Sequence, residues 1–347
     1  NVVIVILESF SAAYSAKLTG TETGYMPFLD SLMGQSLWFT HAYANGRRSI
    51  DGIPAVTASM PKMMPEAFIE SPYAQQPITT LPGLLDAEGY STSFFHGGHN
   101  GTMGFDAFAR SAGFHRYVGR DEYPDPADDD GVWGIRDRPF FQFFAHQLDQ
   151  EPQPFMSCIF SLSSHHPYKL PEADAKRFAG GVLPIMPTLR YVDDALRQFF
   201  ATAETMPWFR NTLFVITADH TADLLRDGQA SGSAYDHWIP LIFYMPSKIA
   251  PRQDDQVAQQ IDILPTVMDM IGHPEPFFAF GSSALRDEGA PSSVSENSAT
   301  WLIIGDSAQL RSDGERVLWS APLGNGAPPD SARVDSLMRQ VQAAIQQ

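Results

Sequence analysis

The chain opens on six consecutive apolar residues, Val2 to Leu7, that stop at a carboxylate, Glu8. A continuous β-branched run of this length predicts a strand buried on both faces, the look of parallel strands in α/β proteins. The same pattern recurs at Tyr90–Gly97 (YSTSFFHG), at 155–162, at 212–217 and from Ile239 (IPLIFYMP). Between these runs the apolar spacing is helical: Ser9–Lys17, 26–33, a segment from Ser49 to Met64 interrupted at Pro54 and closed near Pro61, then 79–88, 105–113, 139–148, 189–200 and 260–271. Tyr123–Gly134 reads as an acidic loop and Gly228–Gly232 as a small-residue loop. Beyond Gly272, Pro, Gly and Ser rise and short strands (TWLIIGD, AQLRS, RVLWS) lie between turn signals, before a helix from Ala332 to Gln347.

Alternating strands and helices predict a doubly wound α/β domain, with a mostly parallel central sheet covered by helices on both faces. It is expected to span 1–272, and a small antiparallel sheet with a closing helix is expected over 273–347.

The candidate chemistry sits at strand ends. Glu8, His96, His165 and the pair Asp219 and His220 each follow an apolar run, and parallel strands would bring those ends to one rim. Ser49 lies in a Gly-flanked, doubly basic turn, GRRSIDG. Carboxylate and imidazole donors are the ligand types of Mn²⁺, Mg²⁺ or Zn²⁺. A cation held there would lower the pKa of the Ser49 hydroxyl. Arg47, Arg48 and a helix N-terminus at Ser49 would add positive potential, while His96 and His165 would hold oxygens or protonate a leaving group. Singly, each residue has a bland reading: a surface acid, a helix cap, turn chemistry, a solvated basic pair. Their joint placement at strand ends is what favours a site.

Composition narrows the partners. The 347 residues carry a net charge of -17, with 44% hydrophobic and 18% charged residues. That charge disfavours non-specific binding to nucleic acid or an anionic membrane face, so an anionic substrate must be drawn in locally. The single cysteine, Cys158, excludes an internal disulfide. No stretch approaches the roughly 20 apolar residues of a membrane span, and no signal peptide is evident. The start inside a strand, without Met, reads as that of an excised domain.

In order and spacing, VILESF, GRRSIDG, FHGG, SSHHPY and TADHT resemble the extracytoplasmic domain of phosphoglycerol transferases of the lipoteichoic acid synthase type, within the sulfatase and alkaline phosphatase superfamily. The resemblance covers about Val2 to Gly272. It implies a metal site of Glu8, Ser49, Asp219 and His220 for one divalent ion, Mn²⁺ or Mg²⁺ first and Zn²⁺ second, with Ser49 where the best-known members have Thr. It also implies catalytic or substrate roles for Ser49, His96, His165 and Arg48, a phospholipid donor such as phosphatidylglycerol, and a glycan or polyglycerolphosphate acceptor. Such enzymes are anchored in the cytoplasmic membrane by N-terminal helices, which here would precede Asn1.

Two departures stand out. The Trp and Arg that follow the FHG histidine in lipoteichoic acid synthases are absent from HGGHNGTMGFD, and no Cys/Ser-x-Pro-x-Arg motif for formylglycine occurs. A phosphoethanolamine transferase, phosphodiesterase or sulfatase-type hydrolase on the same scaffold is the alternative enzyme, and a non-catalytic glycan- or lipid-binding domain the alternative class. His99, His166 and His237 are left without a role.

Overall fold

The computed structural model describes residues 1–222, 232–246, 248–286, 292–297, 299–324 and 326–346. Most of the loop expected at Gly228–Gly232 lies outside them. Twelve strands are described: β1 Val2–Leu7, β2 Leu37–Tyr43, β3 Ser91–His96, β4 Arg116–Val118, β5 Phe155–Phe160, β6 Leu213–Ala218, β7 Leu241–Tyr244, β8 Arg252–Gln259, β9 Ser293–Asn297, β10 Thr300–Ile304, β11 Ala308–Ser312 and β12 Val317–Pro322.

The first eight form one sheet in the order β4-β3-β5-β1-β6-β7-β2-β8, and the last four a separate sheet in the order β12-β11-β10-β9. From β4 to β6 every pairing is parallel. The strand β7 runs antiparallel to both of its neighbours, so the large sheet is mixed beyond β6. The expected α/β class, mostly parallel sheet and small antiparallel sheet therefore hold.

By its internal contacts the chain divides into two compact units, one of 1–38, 82–218 and 240–254, the other of 39–81, 219–239 and 255–347. In the first unit all six residues of β1, and likewise of β5 and β6, are buried, which explains their unbroken apolar runs. The helices Asp137–Leu148 and Ile185–Ala203 pack through Phe144 and Phe199, whose rings stack 5.5 Å apart, and Phe95 of β3 meets Phe144 at 4.8 Å.

In the second unit β10 alternates. Ile303 packs with Leu310 and with Leu337 and Val341 of the Ser331–Gln346 helix, while Leu302 and Ile304 turn to Tyr43 and Val257. A two-residue period with both faces buried is what TWLII encodes.

Two helices depart from the sequence reading. Instead of a helix over Ser9–Lys17 there is a single 3₁₀ turn at Ala12–Tyr14 and a four-residue helix at Ala16–Thr19. Ser9 has φ 59°, and the hydroxyls of Ser11 and Ser15 accept the Ala13 and Leu18 N–H groups, so side chains compete for the backbone donors of a longer helix. The helix starting at Ser49 runs through Pro54 and ends at Ala58. Ser59 then turns left-handed, with φ 52°, and its hydroxyl donates to the Ile261 carbonyl at 2.7 Å.

Candidate active site

In the second unit Ser49 is the first residue of the Ser49–Ala58 helix, with Arg48 as its extended N-cap residue. Ser49 is 4% exposed, and its Oγ lies 3.4 Å from Nε2 of His220. The other ring nitrogen is committed: Nδ1 of His220 stands 2.7 Å from the Thr221 carbonyl, which can only accept. Nδ1 therefore carries the proton, and in the neutral ring Nε2 presents a lone pair. That nitrogen is 3.2 Å from Oδ2 of the fully buried Asp219. Nitrogen and carboxylate lone pairs face each other stably only with a cation between them, either a proton on Nε2 or a metal ion. Donors about 2.0–2.2 Å from a common ion lie at this kind of mutual separation, so the residues fit a divalent cation.

A buried amide relay fixes these groups. Asn45 N–H donates to Oε1 of Gln260 at 2.9 Å, Gln260 Nε2 donates to the Asp219 carbonyl at 2.6 Å, and Asn45 Oδ1 accepts from Ile261 N–H at 3.1 Å. Gly52, on the first turn of the helix, has no room for a side chain: a Cβ there would sit 2.4 Å from the Asp219 carbonyl oxygen. Neither basic residue is simply solvated. Arg47 pairs with Asp236 at 3.1 Å, and Arg48 donates to both oxygens of Asp51 at 3.2 and 3.3 Å. The Asp51 hydrogen bond is the largest cause raising the Arg48 pKa. His237, buried, is pushed down to about 4 by desolvation and by Arg47, and stands 3.0 Å from the Ala44 carbonyl through Nδ1.

In the first unit Leu7 is the last residue of β1 paired with β6, opposite Ala218. Glu8 and Asp219 are the next residues of those two strands. Glu8 is buried, its N–H donates to Ser161 Oγ at 2.8 Å, and the Ser9 hydroxyl donates to its carboxylate. His96 ends β3 opposite Phe160, the end of β5, and Phe160 is also opposite Ile6. Its ring is buried against Phe160 at 4.8 Å and Phe105 at 5.7 Å, with Nδ1 3.2 Å from the Phe160 carbonyl. The strand rim expected from the sequence thus gathers Glu8 and His96.

His165 lies in the loop after β5. Buried Asp137 braces that loop, accepting Leu162 N–H at 2.9 Å and Ser163 N–H at 2.7 Å, while burial pushes its carboxyl up to about 6. His165 is partly exposed and packs against Trp133 in a tilted ring contact, ring centres 4.1 Å apart and planes at 58°. Trp133 Nε1 donates to the His166 carbonyl at 2.6 Å. The sequence reading missed Trp133, because it sits in the acidic loop with no local motif. It is brought in by backbone pairing of Gly98 with Gly134 and by the His99 N–H to Trp133 carbonyl bond. Asn45, Gln260 and Gly52 were missed too, although a Gly three residues after a helix-initial Ser is a readable packing signal. His99 and His166 are exposed, and only their backbone groups join these interactions.

Residues 1–273 match the family described as Sulfatase. The chain belongs to the sulfatase family. Within it, this sulfatase-family domain is 25% identical over 324 residues to a lipoteichoic acid synthase-like protein of Bacillus subtilis, covering 86% of this chain and 51% of that one. It is 26% identical over 317 residues to lipoteichoic acid synthase 1 of the same organism, covering 81% of this chain and 47% of that one. The chain thus spans about half the length of the curated relatives it matches.

Among solved structures, a protein of the alkaline phosphatase superfamily from Vibrio parahaemolyticus aligns with TM-score 0.85 at 27% identity, over 100% of this chain and 87% of that one. The lipoteichoic acid synthase LtaP from Listeria monocytogenes aligns with TM-score 0.83 at 20% identity, over 100% of this chain and 90% of that one. The family resemblance read from the sequence motifs therefore stands. Among the described residues no helix is long and apolar enough to cross a membrane.

Proposed function

We propose that this sulfatase-family domain is the catalytic part of a membrane-anchored, extracytoplasmic phosphoglycerol transferase. It would move glycerol phosphate from a phospholipid such as phosphatidylglycerol to a glycan or polyglycerolphosphate acceptor. The observation that carries the reading is the Ser49, His220 and Asp219 geometry, a hydroxyl and a lone-pair nitrogen beside a buried carboxylate. In this reading Glu8, Asp219 and His220 would supply carboxylate, carboxylate and imidazole ligands, and Ser49 the hydroxyl, for one divalent ion, Mn²⁺ or Mg²⁺ before Zn²⁺. When bound, such an ion supplies positive charge where phosphoryl oxygens gather and lowers the pKa of the serine hydroxyl.

The chain's own residues do the rest. Ser49 Oγ attacks the donor phosphorus and gives up its proton, the bond from phosphorus to the diacylglycerol oxygen breaks, and diacylglycerol leaves with a proton. An acceptor hydroxyl then attacks the glycerophosphoryl serine, loses its proton, and Ser49 is restored. The Ser49–Ala58 helix directs its N-terminus at the reacting group, and Arg48 adds a cation beside it. His165, steadied by Trp133, and His96 are the candidates to hold phosphoryl oxygens or protonate the leaving alkoxide.

The test is the intact mass of the protein after incubation with phosphatidylglycerol and Mn²⁺. Gain of one glycerol phosphate, absent in Ser49→Ala, is expected. The absence of both the adduct and released diacylglycerol would overturn the reading. The absence of a Trp and Arg after His96 favours a second reading, a phosphoethanolamine transferase or phosphodiesterase on the same scaffold, so phosphatidylethanolamine is run alongside.

A further inference from the structure

The second unit contains a cavity of about 580 Å³ that no step above uses. Its walls include Met63, Met64, Phe280 and Trp301, together with Ile50 and Asp51. Those last two residues directly follow Ser49, so one wall is the first turn of the nucleophile's own helix. The volume is in the range of small-molecule pockets. Methionine thioethers suit a ligand of variable shape, because their three rotors adapt without polar demands.

The two ends of this region differ in kind. Asp51, in the wall, anchors the Arg48 guanidinium through both oxygens, and Arg48 precedes Ser49. Through Asp51 the mostly apolar wall, which also carries Lys62 and Glu66, is tied to the cation that precedes the nucleophile in the chain. That asymmetry matches an amphiphile with an anionic head at Ser49 and a hydrocarbon tail in the cavity, and it does not match a free sugar phosphate or a polar glycan.

We propose that this cavity is the acyl-chain subsite for the lipid donor, holding one hydrocarbon chain while the phosphodiester lies at Ser49. The assignment rests on the donor being a phospholipid. It makes chain burial part of donor recognition: each methylene buried contributes about 0.8 kcal/mol, roughly a threefold to fourfold gain in affinity. It also separates donor from acceptor, since an acceptor hydroxyl carries no tail to fill the cavity.

The test compares monomeric, sub-micellar phosphatidylglycerols of increasing chain length with a chain-free glycerophosphodiester, in the native protein and in Met63→Glu and Met64→Trp. The first variant puts a charge in the cavity and the second fills it. In the native protein kcat/KM should climb severalfold per added methylene until the cavity is full. Both variants should flatten that climb while turning over the chain-free diester at the native rate.

A second readout does not need turnover. Trp301 fluorescence should be quenched by a phosphatidylglycerol brominated on its chain, with Trp301→Phe identifying the signal, and the quenching should be lost in Met64→Trp after subtracting the new residue's emission in a double variant with Trp301→Phe. Quenching without turnover would uphold the subsite and sink the transferase reading. Turnover indifferent to chain length, with no quenching, would sink the subsite alone. Equal loss of both substrates in folded variants would also overturn it.

Discussion

Ser49 Oγ and His220 Nε2 lie 3.4 Å apart, and His220 Nδ1 is engaged by the Thr221 carbonyl. The imidazole is thereby oriented with its basic nitrogen toward the hydroxyl and the Asp219 carboxylate. Ser49→Ala removes the only nucleophile in this arrangement and one polar atom from a tight space. Turnover should fall by ~10⁴-fold or more, with the unfolding free energy changed by less than about 1 kcal/mol. Steady-state rates and a denaturant melt check both.

The facing donors should also make the protein answer to divalent ions. Chelation is expected to abolish turnover and Mn²⁺ or Mg²⁺ to restore it. Ion at 100 times its Kd should raise stability by about 2.7 kcal/mol. His220→Ala should lose most of that rise. A melting temperature in Asp219→Asn that rises with Mn²⁺ as the native protein's does would count against the ligand assignment.

Gly52 is tested by adding one carbon. In Gly52→Ala the new Cβ would meet the Asp219 carbonyl oxygen at 2.4 Å and its Cα at 2.9 Å. Both are backbone atoms, which yield less readily than a side chain. We expect a loss of about 1–3 kcal/mol, the usual cost of overpacking, together with a drop in turnover of at least tenfold. Calorimetry and kinetics on the same sample separate the two effects.

Trp133 holds His165 by ring contact and the His166 carbonyl by a hydrogen bond. Trp133→Phe keeps an aromatic face and loses the bond, whereas Trp133→Ala loses both. If His165 contacts substrate, kcat/KM should drop modestly in the first and ~10–100-fold in the second, the usual scale for removing an orienting partner. Equal, small effects in both would separate His165 from the reaction.

Asp193 provides a pH signature away from the site. It is buried beneath the Pro27–Met33 helix, where it accepts Phe28 N–H at 2.8 Å and Leu29 N–H at 3.0 Å. Burial, the largest cause, and the nearby charges of Asp30 and Asp194 push its carboxyl up to about 7. An unfolded Asp titrates near 3.9, so between those values the folded chain holds the extra proton. Its contribution to stability is therefore full below about pH 4 and is lost as pH rises through 7. Asp193→Asn cannot ionise. The native protein's stability advantage over it should shrink by about 2–3 kcal/mol between pH 5 and pH 8, measured by melts across that range.

The legible parts of this chain were those with one dominant local cause. Val2–Leu7 and Leu213–Ala218 are wholly buried, so their apolar runs located both the strands and the acids that follow them. By contrast β8, Arg252–Gln259, begins with exposed polar residues at the sheet's edge, so no apolar run marks it in the sequence. Trp133 and Gln260 were invisible for a different reason. Each acts through partners more than 30 residues away, at His165 and His166 for the first and at Asn45 and Asp219 for the second. No periodicity carries that information.

The Gln260 relay has a consequence for how the site is made. One side-chain amide joins the segment before Ser49 to the carbonyl of Asp219, and it is supplied 41 residues downstream of that carbonyl. During synthesis both the serine turn and the Asp219 loop leave the ribosome before the piece that ties them together. Until Gln260 arrives, two buried polar groups lack the bonds they make in the finished fold. Reactivity at Ser49 should therefore switch on late, once the amide docks. A nascent chain would then present its serine as an inert hydroxyl for most of the time that it is being made.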